Sequence, residues 1–404
     1  MQKMKISLVT FLTILFPLAL ALMGQSTIKK KIPKVKKNNP LPIFVHYMPW
    51  FDAPKNVTEK WGLHWTMANQ NPEKILRNGQ RQIASHYYPL IGPYDTGDDA
   101  LLEYHLLLMK FSGIDGLLID WPSSHDILDY QTNRLNAEAL IKKISCVGLR
   151  FAIVYEDYTT REVARVDSIS SHDAALADLQ YISDNYFNSQ NYLEIEGAPL
   201  LLVFGPRQIV SDFIWKELLN ILQPIPHFIP LWHRSKDLPS SFGEFAWIDS
   251  GHLKSISKYY QISAPTLNWV MGIAYPGFRD YYEEGGWESH HLNWEIDHKG
   301  TETFSQTLKM AQEADVDAVQ LATWNDFGEG TMIEPTHRFG YTLLEELQHF
   351  SGISYDGQVF KLIHSLYTHR KLYAKNDSIQ ARLDSAFHYF ANLNVVKATE
   401  FLNP

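Results

Sequence analysis

Eight short apolar runs punctuate the chain, and none of them alternates with polar residues. They are IFVHYMPW (43–50), GIDGLLIDW (113–121), RFAIVYED (150–157), PLLLVFG (199–205), HFIPLWH (227–233), EFAWID (244–249), WVMGIAYPGF (269–278) and AVQLATWND (318–326). Continuous apolarity fits strands covered on both faces, whereas a half-solvated strand would alternate. Helix-like stretches lie between the runs: 100–113, 135–148, 173–186, 212–222 and 302–315, the first two closed by Gly113 and Gly148. Strand and helix in alternation require a parallel sheet. Eight strands predict a single (β/α)8 TIM barrel over 42–350.

Residues 250–300 show little helical pattern, and 50–98 are irregular and rich in Trp, His, Pro and Tyr, as functional loops are. The segment 359–404 reads as two amphipathic helices, so 351–404 is expected to be a C-terminal helical extension packed on the barrel. There is no internal repeat. The length of 404 residues is compatible with one barrel, and 45 % apolar residues suffice for a large core.

The N-terminus, MQKMKISLVTFLTILFPLALALMGQS, opens with Lys3 and Lys5 and continues almost wholly apolar over 6–23. Ala19 and Ala21 fit a cleavage signal, so 1–24 reads as a secretory signal peptide. The basic run KKKIPKVKK (29–37) falls in a solvated linker, 25–41. With no membrane span after cleavage and one cysteine that has no internal partner, the chain is expected to be exported to a bacterial periplasm, cell surface or medium. Cys146, inside LIKKISCVGL, reads as a buried structural thiol. The net charge of −9 and the absence of a basic face exclude nucleic-acid binding. The chain is expected to act as a monomer.

The chemistry is concentrated where the runs end. In a parallel barrel the active site lies at the C-terminal strand ends. There the sequence places His46, Tyr47, Trp50, Asp120, Trp121, Glu156, Asp157, Trp232, His233, Asp249, Tyr275, Asn325, Asp326 and Glu329. Taken singly each has a plain alternative: Asp120 or Asp249 as a helix cap, Trp121 or Trp232 as core. Aromatics make up 13 %, with 11 Trp and 21 Tyr, and flat rings line carbohydrate clefts as readily as they fill cores. The segment TWNDFGEGTMIEP (323–335) carries two carboxylates three apart, Asp326 and Glu329, interrupted by glycine. On a helix that spacing marks a solvated face. After a strand, beside Trp324 and Phe327, it lets two carboxyls face one cleft, as glycoside hydrolysis requires. No metal site is expected, since His64, His86 and His105 are scattered and HLNWEIDH lacks ligand spacing. No cofactor is expected either, since there is no nucleophile elbow, phosphate loop or dinucleotide fingerprint.

TWNDFGEGTMIEP resembles the WNEWxEGTxIEP signature of glycoside hydrolase family 99, the endo-acting α-mannosidases and α-mannanases. IASHYYPLIGPYDTGDDALLEYHLLLMKFSGIDGLLIDW (83–121) is similar to that family's YPxLGPYSSxD loop, helix and Trp-ending strand. IFVHYMPWF and WGLHW match its opening elements. The resemblance spans roughly 43–340 and implies a (β/α)8 barrel that cleaves α-linked polysaccharide within the chain and retains configuration. Asp326 would then assist the sugar 2-hydroxyl and Glu329 would protonate the leaving oxygen. Glu156 would line the subsite of the cleaved sugar. Tyr47, Trp50, His64, Trp65, Tyr88, Trp121, Tyr275 and Asn325 would bind substrate. The family has Glu where this chain has Asp326. The string WNDFGE is closer to the family 71 α-1,3-glucanases, whose likeness implies that the two carboxyls act as acid and base of an inverting reaction. A weakly active carbohydrate-binding barrel is the third reading.

Overall fold

The computed structural model describes residues 32–54 and 60–402. The expected leader, 1–24, lies outside the described residues. Eight parallel strands form the core: β1 Ile43–Tyr47, β2 Gly116–Trp121, β3 Arg150–Tyr155, β4 Ala198–Val203, β5 His227–Pro230, β6 Glu244–Phe245, β7 Val270–Ala274 and β8 Ala318–Leu321. Each begins within three residues of an apolar run. They lie in the order β5-β4-β3-β2-β1-β8-β7-β6, all parallel. The register sets Val45 beside Leu117 and Leu321, and Val154 beside Leu202. The two outer strands approach through one isolated parallel bridge, Leu231–Phe245, in which Trp232 N–H donates to Phe245 O at 2.9 Å. A two-residue strand, Glu194–Ile195, adds an antiparallel hairpin on β4.

β1 and β7 are buried at every position. Burial on both faces is what the unbroken apolar pattern demands, and each fully covered aliphatic side chain contributes about 1.5–3 kcal/mol. The helix Asp99–Phe111 starts where Asp98 accepts the Leu101 N–H at 3.0 Å. The chain leaves that helix through Gly113, which has φ 89° and packs so closely on Ser351 that a Cβ would lie 2.5 Å from its hydroxyl.

Some expectations hold and others are corrected. The region 250–300 contains the helix His252–Lys258, continued by a π-helical turn to Ser263; it is too short to show a hydrophobic period. The tail forms three helices, Gln358–Leu372, Asp377–Ala391 and Val395–Leu402. Arg370 reaches from the first of these to Glu103 in the helix Asp99–Phe111, at 3.0 Å with both side chains about nine-tenths buried. The described part of the basic segment is exposed or half-buried throughout, and its end is tied to the body of the fold. Lys37 pairs with Asp115, and the Asn38 and Asn39 N–H groups donate to Ser351 O. Cys146 is exposed, because the helix Tyr130–Ile144 ends before it and Ile144 and Val147 take the buried positions. Among the described residues no helix is long and apolar enough to cross a membrane.

Candidate active site

The loop that follows β8 folds back on itself. Thr323 and Thr331 pair through backbone and hydroxyls, and the Ile333 and Glu334 N–H groups return to Trp324 O. Trp324 N–H donates to His46 O, and Asn325 clamps Met48 with two bonds of 2.9 Å, one to its N–H and one to its carbonyl. The loop is thereby tied to the end of β1. Gly330 has φ 67°, and a Cβ there would meet Arg279 O at 2.8 Å. Arg279 and Tyr281 donate their N–H groups to Glu329 O and Gly328 O. That pairing lays the segment 279–282 along the loop.

This scaffold gives the two carboxyls different surroundings. Asp326 is 5 % exposed and accepts N–H bonds from Glu329, at 3.0 Å, and from Gly328. Glu329 is half-buried, and its Oε1 accepts the Tyr282 hydroxyl at 3.0 Å. Burial raises both groups above the usual carboxylate range. Asp326 is pushed to about 7, with the N–H bonds opposing and the Asp120 charge reinforcing the shift. Glu329 is pushed to about 8 by burial and then by the Asp326 charge. Two N–H donors favour the ionised form of Asp326, and the like charge beside it favours the neutral form of Glu329. These surroundings favour the charge on Asp326 and the proton on Glu329.

Glu156, at the end of β3, is raised by burial and by Asp120, while the Tyr158 hydroxyl and Arg207 favour its charged form. The Arg207 guanidinium lies over the Phe204 and Tyr158 rings at 5.1 and 5.5 Å. Its backbone is held by Asp157, which accepts the N–H groups of Arg207, Gln208 and Ile209. An aromatic wall leads from Glu329 outward. Tyr282 stacks toward Trp287 at 6.1 Å, Trp287 meets His64 edge-on at 6.2 Å, and His64 stacks on Trp50 at 4.1 Å. Burial pushes His64 down to about 3, so it is neutral.

The expected site residues thus divide. Asp326, Glu329, Glu156, His64 and Trp50 belong to this connected surface. Tyr47, Trp65, Trp121 and Tyr275 do not: each is fully buried. Their polar tips are satisfied inside, Tyr47 by His105, Trp65 by Tyr94 O, Trp121 by the Tyr186 hydroxyl and Tyr275 by His252. They are core aromatics with internal partners. Asn325 is likewise buried and spends its amide on Met48. Tyr88 accepts the Arg81 N–H and sits edge-on to His337, with no contact to the carboxyl pair. Asp249 accepts the Gly251 and His252 N–H groups at the start of its helix, which is the plain reading of that residue. Sequence reasoning missed Tyr282, Trp287, Tyr158 and Arg207. The aromatic density of DYYEEGGW (280–287) was the available signal for the first two.

No protein-family model matches the chain. A zebrafish glycoprotein endo-alpha-1,2-mannosidase-like protein is 22 % identical over 334 residues, 72 % of this chain and 70 % of that one. Mouse glycoprotein endo-alpha-1,2-mannosidase is 26 % identical over 200 residues, 45 % of this chain and 40 % of its own length. Among solved structures, the GH99 endo-alpha-mannosidase from Bacteroides thetaiotaomicron superposes with a TM-score of 0.56 at 18 % identity, covering 80 % of this chain and 98 % of that one. In sequence this chain is similar to endo-α-mannosidase-like proteins, and in fold to a family 99 glycoside hydrolase.

Proposed function

We propose that the protein is a glycoside hydrolase acting on an α-mannose-type glycan, cleaving within the chain. The observation that carries this is the Asp326–Glu329 pair, two carboxyls on one loop whose surroundings leave a proton on one and a charge on the other. The similarity to endo-α-mannosidases supports the same reading. We read the Leu231–Phe245 bridge as the seam of a (β/α)8 barrel, and 351–404 as an extension packed on it.

Glu329, protonated at neutral pH, donates to the glycosidic oxygen as the bond to the leaving sugar breaks. Asp326, ionised, draws the proton from the 2-hydroxyl of the cleaved sugar. That oxygen then attacks the anomeric carbon; water opens the intermediate at that carbon, giving a proton to Glu329 as base, while Asp326 returns its proton to the departing O2. Configuration is retained. Glu156 and Arg207 contact the sugar in the cleft, and Trp50, His64, Trp287 and Tyr282 offer ring faces to neighbouring units. The protein is proposed to be exported through its leader and to work as a monomer.

The test is hydrolysis of a panel of α-mannans and α-glucans by wild type beside Glu329→Gln, with products sized by chromatography. Internal cleavage of α-mannan by wild type alone supports the reading. Cleavage of α-glucan only would replace the substrate class, and equal cleavage by both proteins would remove Glu329 from the mechanism.

A further inference from the structure

We propose that Asp120 is a third carboxyl of the cleft, a substrate-binding residue that takes a hydroxyl of the sugar unit held against Asp326. The proposal rests on the glycosidase reading and adds a residue to it.

The other buried carboxylates of the strand-end region are bonded. Asp157 accepts three backbone N–H groups. Asp178 accepts the Ser123 and Ser124 hydroxyls, the Ser124 N–H and the Tyr155 hydroxyl. Glu334 accepts the Tyr94 hydroxyl. Asp120 is equally buried, at 4 % exposed, yet among the described residues its carboxyl accepts no hydrogen bond. The nearest candidate, His46 Nε2, is 4.0 Å away, and burial pushes His46 down to about 3, leaving it uncharged. Asp120 caps no helix, in contrast to Asp249. A buried carboxylate without partners is costly. Such a group persists where a ligand supplies the missing bonds.

Its surroundings say which ligand. The groups facing it are His46 from β1, Asp129 before the helix Tyr130–Ile144, Glu156 and Tyr158 after β3, and Asp326 after β8. No cation faces it, so an anionic ligand is repelled. The carboxyls do not close on a metal ion either: among the described residues no three His, Cys, Asp or Glu side chains gather at ligand spacing. Its oxygens are not sealed from solvent, whereas His46 Nδ1 and Trp324 Nε1 are. A neutral polyhydroxylated ligand suits carboxyls spread around a cleft floor, because each hydroxyl both donates and accepts. Burial and the Asp129 charge push Asp120 up to about 8, so at neutral pH it can donate as well as accept.

The experiment compares the full chain with Asp120→Asn, Asp120→Ala and Asp157→Asn. Thermal melting is followed at pH 5 and pH 8, with steady-state hydrolysis of an α-mannan oligosaccharide alongside. Asp120→Asn is expected to melt about 1–3 °C above wild type at pH 8, because it removes a strained charge. The difference should vanish at pH 5, where the carboxyl is already neutral. Asp157→Asn should melt below wild type at both. Asp120→Ala is expected to raise KM about ten- to a hundredfold, and Asp120→Asn to keep it within about threefold. Melting of Asp120→Asn below wild type at pH 8 would overturn the proposal, since that is what a structural carboxylate does. Unchanged kcat/KM in Asp120→Ala would overturn it as well. If wild type hydrolyses nothing, the glycosidase reading fails by itself, and the melting comparison decides whether Asp120 is a ligand-seeking carboxyl.

Discussion

Tyr282 donates its hydroxyl to Glu329 Oε1 at 3.0 Å, so Oε1 is held as an acceptor and Oε2 is the oxygen left to carry the proton in the proposed mechanism. The same bond joins the aromatic wall to the carboxyl proposed as the acid. A donor to a carboxyl stabilises its charged form, so Tyr282 holds the Glu329 pKa lower than burial alone would set it. Tyr282→Phe is therefore expected to move the alkaline limb of the kcat/KM profile upward by about one unit and to lower kcat through misplacement of the acid. A pH–rate series on the two proteins checks both effects.

Wild-type activity should form a narrow bell. Asp326 ionises near 7 and Glu329 loses its proton near 8, so the productive state peaks between those values and declines on either side. A profile still rising below pH 5 would contradict the assignment.

The same shifts make a stability statement. Both carboxyls have folded-state pKa values above their ordinary ones, so the folded state binds these protons more tightly than the unfolded chain does. Their contribution favours folding at low pH and is lost as pH rises from about 4 through about 8. Glu329→Gln removes one such group. Its melting temperature should fall less than that of wild type between pH 5 and pH 8.5, as scanning fluorimetry would show.

Gly330 is the positional weak point of the loop. Gly330→Ala must place a Cβ 2.8 Å from Arg279 O in a residue with φ 67°. A loss of about 1–3 kcal/mol in stability is expected. Because the shift displaces Glu329, a fall of about a hundredfold in kcat should follow. Chemical denaturation and kinetics on one preparation separate the two.

The C-terminal helices are held partly by Arg370 and Glu103. Arg370→Ala leaves a buried Glu103 without its nearest partner and should cost about 3–5 kcal/mol. Replacing both by Met should recover much of that. Denaturation midpoints of the single and double variants test the pair without reference to activity.

The sequence made the strands legible, because burial on both faces writes itself as an unbroken apolar run. The placing of Asp326, Glu329 and Glu156 in loops that follow strands was legible for the same reason, since they stand at or just beyond the ends of those runs. The helix His252–Lys258 was not, because only Ile256 in it is buried and seven residues carry no readable period. Tyr47, Trp121 and Tyr275, at strand ends, and Trp65, in the WGLHW motif, misled because an aromatic looks alike in sequence whether its polar tip meets substrate or an internal partner; only the third dimension supplies His105, Tyr186, His252 and Tyr94. Arg207 was invisible because its position depends on a loop wrapped around the Asp157 carboxylate, a relationship fifty residues apart in the chain.

The most direct test of the division of labour between Asp326 and Glu329 is cleavage of an aryl α-mannoside-type substrate with an activated leaving group, beside an unactivated α-mannan oligosaccharide. Wild type, Glu329→Gln and Asp326→Asn are compared. A leaving group that needs no proton should restore much of the Glu329→Gln activity, while the same protein stays about 10²–10⁴-fold impaired on the unactivated glycan; Asp326→Asn should be impaired on both. If Glu329→Gln is equally impaired on both substrates, or if Asp326→Asn is the variant rescued by the activated leaving group, then the proton has been placed on the wrong carboxyl and the account fails.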